Sequence, residues 1–95
     1  MIPKDELDKA SKIAKKYGIG KMYLIGSSLY KDPDQVHDYD FAVGDIPPGN
    51  FFLFYGDLLR NLSKNVDIID LSGKATKFKN IVVREGKLIY GQSAA

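Results

Sequence analysis

Residues 25–43 read Ile-Gly-Ser-Ser-Leu-Tyr-Lys-Asp-Pro-Asp-Gln-Val-His-Asp-Tyr-Asp-Phe-Ala-Val. At its far end polar and apolar residues alternate: Asp38, Asp40 and Ala42 fall on one side, Tyr39, Phe41 and Val43 on the other. That period predicts a strand over 38–43 with both carboxylates on one face, about 7 Å apart along the chain. At the near end, Met22-Tyr23-Leu24-Ile25 is an apolar run of strand length within 21–25, and it closes on Gly26-Ser27. Between them, Lys31-Asp32-Pro33-Asp34-Gln35 is turn chemistry, with a short helix expected directly after Gly26-Ser27.

Leu7, Ala10, Ile13, Ala14 and Tyr17 recur at helical spacing, which predicts a helix over 4–17 with Pro3 at its entrance and Gly18 as its stop. Pro47-Pro48-Gly49 breaks the chain, and Asn50 is a candidate helix cap. The next helix has Phe51, Phe54, Tyr55, Leu58, Leu59 and Leu62 on one apolar face, with Phe52 and Leu53 outside it. A strand over 66–71 sets Asp67, Ile69 and Leu71 opposite Ile68 and Asp70. A helix over 75–85 is expected to turn Ala75, Phe78, Ile81 and Val82 inward and to stop at Gly86. A short strand at 88–90 and a frayed end at Ser93-Ala94-Ala95 complete the chain. The order is α-β-α-β-α-β-α-β, a single domain over 1–95 of α/β (α+β) class, built as a small mixed sheet with flanking helices.

At 95 residues the domain buries only about 60–65% of the surface its unfolded chain exposes, enough for one thin core. No run is long and apolar enough for a membrane span, and no signal peptide is recognisable, so a cytoplasmic location is expected. The absence of cysteine excludes disulfides, thiol catalysis and cysteine metal sites. A net charge of +2 is a poor footprint for a nucleic-acid binder, and Lys4, Lys9, Lys12, Lys15 and Lys16 read as the solvated face of the first helix.

The chemistry resides in the acids. With Asp67 on a strand of the same sheet, three carboxylates converge. At about 5 Å and an effective dielectric of about 20, each pair repels by roughly 3 kcal/mol. Mg²⁺ takes oxygen ligands, commonly one or two carboxylates plus substrate phosphates. Gly26 would let backbone N–H groups approach a phosphate, and the Ser27 hydroxyl can donate to one. Alone, either Gly-Ser or Asp-x-Asp is ordinary strand-end composition.

Taken together, Gly26-Ser27, ten residues, Asp38-Tyr39-Asp40 and the later Asp67 resemble the signature of the polymerase-beta-type nucleotidyltransferase superfamily. The tail from Val83 to Tyr90 is similar to the end of its small, stand-alone members, the minimal nucleotidyltransferases. The resemblance implies a nucleotidyltransferase fold with Asp38, Asp40 and Asp67 as catalytic and metal-binding residues. It further implies Gly26, Ser27 and Lys31 as nucleotide-binding residues, with Mg²⁺ and ATP or another nucleoside triphosphate. It also implies a small helical HEPN-type toxin as partner, modified with AMP on a hydroxyl, with this chain as the antitoxin. Two departures stand out: Lys31 occupies the place of a second glycine, and His37 that of a common serine. An inert module of the same fold, acting by contact alone, is the alternative; a homo-oligomer is left open.

Overall fold

A computed structural model describes residues 2–91, so the expected frayed end at Ser93-Ala94-Ala95 lies outside the described residues. The first helix, α1 (Lys4–Lys16), carries Asp5 and Glu6 in its first turn and Lys15 and Lys16 in its last, charges that complement the helix dipole. It stops where Gly18 takes φ 71°; the Gly18 amide donates to Lys15 O at 3.2 Å and the Ile19 amide to Ala14 O at 3.0 Å. Those two bonds form a Schellman cap, and only a residue without a β-carbon adopts its left-handed position freely.

The elements that follow are β1 (Lys21–Ile25), α2 (Ser27–Tyr30), a 3-10 turn (Pro33–Gln35), β2 (Asp38–Gly44), α3 (Phe51–Asn61), β3 (Asn65–Asp70), α4 (Lys77–Glu85) and β4 (Lys87–Gly91). The strands form one sheet in the order β3-β2-β1-β4. β1 runs antiparallel to β2 and β4, while β2 and β3 are parallel and joined through α3. The expected element order and the mixed sheet are both present.

Register assigns the faces. Met22 and Leu24 of β1 stand with Tyr39, Phe41 and Val43 of β2 and Val66 of β3, all buried. Ala10, Ile13 and Ala14 of α1 and Phe54 and Leu58 of α3 join them in one core, with Leu62 just beyond α3. The opposite face carries the acids and is only partly covered.

Three expectations need correction. Asn50 starts α3 but donates its side-chain Nδ2 to Tyr17 O at 2.8 Å, bracing the end of α1, and makes no side-chain cap. Leu59 is exposed, because Phe54, Leu58 and Leu62 already fill the narrow stripe facing the sheet. α4 begins at Lys77, capped by Thr76 Oγ1 accepting from the Lys79 amide at 3.1 Å, and it buries none of its residues. Ala75, Phe78 and Ile81 are exposed, since a four-stranded sheet gives α4 too little area to rest on.

A buried acid ties the layers. Glu6 Oε1 accepts from the Tyr39 hydroxyl at 3.1 Å, from the Ser63 amide at 2.9 Å and from the Ser63 hydroxyl, joining α1 to β2 and to the turn before β3. Burial pushes its carboxyl upward, yet the Ser63 and Tyr39 bonds outweigh that and hold it below the ordinary value of 4.5. Asp57 on α3 accepts from the Tyr17 hydroxyl at 2.7 Å, from Lys16 Nζ at 3.0 Å and from Arg60, and is held far below its usual range. Glu6→Ala leaves the buried Tyr39 hydroxyl unpaired and is expected to cost about 1–3 kcal/mol in denaturant unfolding. Glu6→Gln keeps an acceptor and should cost less. Because the folded state holds Glu6 and Asp57 below their ordinary values, their contribution is complete above about pH 4.5 and is lost as the pH falls below it. A pH series of melting temperatures should therefore drop on that acid side, less steeply for Glu6→Gln.

Candidate active site

Asp38 and Asp40 emerge from β2 on the face opposite the core, and Asp67 emerges beside them from β3. Asp40 pairs with Asp67 in the parallel register, while Asp38 pairs with Asn65. Neighbouring strands lie about 4.8 Å apart, so the Asp40 and Asp67 backbones are in adjacent rows and their side chains share a face. The electrostatic consequence is visible at Asp40. Burial, then the Asp67 charge, then the Asp38 charge push its carboxyl above the ordinary 3.8. Asp70 lies out of that face; its Oδ1 accepts from the Ser72 amide at 2.8 Å, which shapes the turn after β3, and the Ser72 side chain and amide together lower its carboxyl.

The glycine closing β1 comes directly against this cluster. Gly26 has φ 68° and ψ −154°, and a β-carbon placed on it would stand 2.7 Å from Asp40 Oδ2. The backbone conformation demands glycine, and a β-carbon there would also push the Asp40 carboxylate aside. Ser27 opens α2 and is exposed beside the acids' end of the sheet, while Ser28 is fully buried. The Ser28 hydroxyl donates to Ile25 O at 2.8 Å and accepts from the Asp40 amide at 3.4 Å, pinning the loop to the strand that bears the acids.

The role of Ser28 is not legible in the sequence, because adjacent serines look alike until helical geometry turns one inward. Tyr55 reads in the sequence only as part of an apolar helix face. The Tyr55 hydroxyl donates to Val66 O at 2.5 Å, on the peptide leading into Asp67, and burial followed by the Asp67 and Asp38 charges raises it. A side chain in the middle of an apolar helix face gives no sign that it reaches a strand edge.

Lys31 follows α2 with φ −85° and ψ 156°, an extended conformation that any residue adopts, so lysine is accommodated where the resemblance expects glycine. Its amide donates to Ser27 O at 2.9 Å. His37 is exposed. Lys64 donates to Pro33 O and Val36 O and so holds the turn that leads into β2.

The donor set suits a hard divalent cation. Carboxylate oxygens are its preferred ligands, one or two are enough for Mg²⁺, and a cation would offset the repulsion that raises Asp40. Among the described residues no three of His, Cys, Asp or Glu close into a ready cage.

A mixed sheet with a strand-end glycine against an Asp-x-Asp strand, and a third acid on the parallel neighbour, is the layout of a nucleotidyltransferase fold. The chain belongs to the family described as polymerase beta, nucleotidyltransferase, which matches residues 8–95. Among solved structures it is similar to the toxin–antitoxin complex MntA–HepT, at 22% identity and a TM-score of 0.69 over 95% of this chain and 74% of that one. A tri-AMPylated Shewanella oneidensis HEPN toxin in complex with MNT antitoxin gives 24% identity and a TM-score of 0.69 over 94% and 72%. A toxin–antitoxin with AMP-PNP gives 24% and 0.68 over 90% and 73%. At these identities the likeness is one of fold. A curated relative named cytochrome c-type biogenesis protein CcmE, from Shewanella frigidimarina, is 31% identical over 85 residues. The match covers 90% of this chain and 47% of that protein, so the chain spans about half of its length. Among the described residues no helix is long and apolar enough to cross a membrane.

Two outcomes follow from this geometry. Asp40→Asn removes a charge that both neighbours repel, and it should raise the stability of the metal-free domain by about 1 kcal/mol, roughly 4–8 °C in melting temperature. Adding Mg²⁺ should narrow or reverse that gap, because the parent alone keeps both β2 carboxylates. Gly26→Ala should destabilise the domain by about 1–3 kcal/mol, given its strained φ and the contact with Asp40. Thermal denaturation of both variants, with and without Mg²⁺, checks each.

Proposed function

We propose that this domain transfers a nucleoside monophosphate, AMP from ATP, to a hydroxyl of a partner protein, and that the partner is a small helical HEPN-type toxin for which it is the antitoxin. The observation that carries the reading is the register that sets Asp40 beside Asp67, with Gly26 against Asp40. Family membership supports it, and so does the likeness to complexes named as MNT–HEPN pairs, one of them AMPylated and another holding AMP-PNP.

In this reading Asp38 and Asp40 hold Mg²⁺. Bound there, the ion would neutralise phosphate charge and make the attacking hydroxyl more acidic. Gly26 lets the backbone approach the triphosphate, Ser27 donates a hydrogen bond to it, and Lys31 supplies a basic contact. The acceptor oxygen forms a bond to the α-phosphorus as the α–β bridging bond breaks and pyrophosphate leaves. Asp67 completes the metal site or takes the hydroxyl proton. Ser28 and Tyr55 position the strands that carry these acids. The location that fits this role is the cytoplasm.

The contact-only reading has its own support in Phe52, 82% exposed, and Leu53, 57% exposed, at the start of α3. They offer a docking patch independent of the acids.

Incubation with labelled ATP, Mg²⁺ and a HEPN-type partner separates the two readings. Label should pass to the partner, and Asp67→Asn should reduce the rate by about 100-fold or more, the scale of a lost general base. Asp70→Asn should leave the rate within a few-fold of the parent. Equal loss from both variants would count against the role that this register gives Asp67, and neutralisation of the partner without transfer would leave the contact-only module standing.

A further inference from the structure

Beyond the acids, the same face of the sheet carries a cavity of about 300 Å³ between α2 and α4. Ile25 and Ile69 belong to its strands, Leu29 and Tyr30 to α2, and Phe78 and Ile81 to α4. Gly26 lines it as well, and Gly26 is the residue packed against Asp40, so cavity and acid cluster are continuous. Among the described residues that line it, Glu85 alone is charged, and it is an acid, paired with Arg84 at 3.4 Å. Phosphates therefore have no place inside. The cavity suits the uncharged, flat end of a ligand whose anionic end lies at Gly26 and the metal-binding acids.

Its size is at the lower end of small-molecule sites, about 300–1,000 Å³, a fit for a base and too small for a helix of a partner. Phe78 is 60% exposed and Tyr30 is 75% exposed, two aromatic rings left in water at its rim. Such rings stack on any base, since every base presents a π-face. We propose that this groove holds the nucleobase of the triphosphate, with Phe78 and Tyr30 as its stacking residues. The inference rests on the reading above that the phosphates lie at Gly26. It gives a domain of this size an internal means of holding the base.

The test is calorimetry of the intact domain with ATP and with inorganic tripolyphosphate, each with Mg²⁺, on the parent, Phe78→Ala and Tyr30→Ala. Both side chains are exposed, so neither substitution removes core. The parent should bind ATP more tightly than tripolyphosphate. Phe78→Ala should weaken ATP binding by roughly 5- to 150-fold and leave tripolyphosphate unchanged, with Tyr30→Ala acting the same way. Equal affinity of the parent for the two ligands, or parallel weakening of both by Phe78→Ala, would overturn the base site while leaving the phosphate reading intact. If the parent binds neither ligand, the phosphate reading fails, and the base site fails with it.

Discussion

β2 pairs with β3 in parallel, and in that register Asp40 stands beside Asp67 while Tyr39 stands beside Val66. The two pairings are inseparable. A slip of one residue would turn Asp38 and Asp40 into the core and Tyr39 and Phe41 into water. Burying an unpaired carboxylate costs several kcal/mol, as does exposing two aromatic rings, so the apolar side of β2 enforces the geometry of the acidic side. The raised carboxyl of Asp40 reflects that packing: burial first, and then the Asp67 and Asp38 charges held beside it, push it upward.

A thin domain meets the strain by covering one face well and leaving the other open. α1 and α3 close the core side, and the Glu6 and Asp57 clusters fasten them to the sheet and to each other. Those acids are satisfied by hydroxyls, an amide and surface cations, so their negative charge favours the fold. Among the described residues of the sheet, the acids of the site meet mainly one another. On their face α2 and α4 give only partial cover, which is why Phe78, Ile81 and Tyr30 stay exposed and a groove opens beside Gly26. The exposure that weakens the domain is also what leaves this face accessible.

The positioning of the site depends on backbone as much as on side chains. Gly26 tolerates its conformation and its neighbour because it has no β-carbon, and Ser28 fastens the loop to the Asp40 amide. Tyr55 ties α3 to the β3 edge at the peptide before Asp67. Thus each of the two acid-bearing strands is braced by a hydroxyl on a neighbouring element. Lys31 sits in an extended conformation with ordinary φ, so the departure from glycine changes the chemistry offered to a ligand without straining the loop.

The alternation of Asp38, Tyr39, Asp40 and Phe41, the glycine after Ile25 and the apolar spacing of residues 7–17 were enough to determine the element order, the sheet and the face shared by the two β2 acids. These are local properties, set by periods of two and 3.6 residues and by where glycine and proline interrupt them. Tertiary structure decided which strand lies beside which, hence that Asp67 meets Asp40, and that the paired serines divide into one exposed and one buried. It also decided that Glu6, one acid among many in a charged helix, is buried under Tyr39, and that α4 shows its apolar residues to solvent. Apart from the meeting of Asp67 with the β2 acids, which the family resemblance implied, none of these could be read along the chain, because each depends on how much sheet area is left to cover and on which group, distant in sequence, arrives to satisfy a buried polar atom.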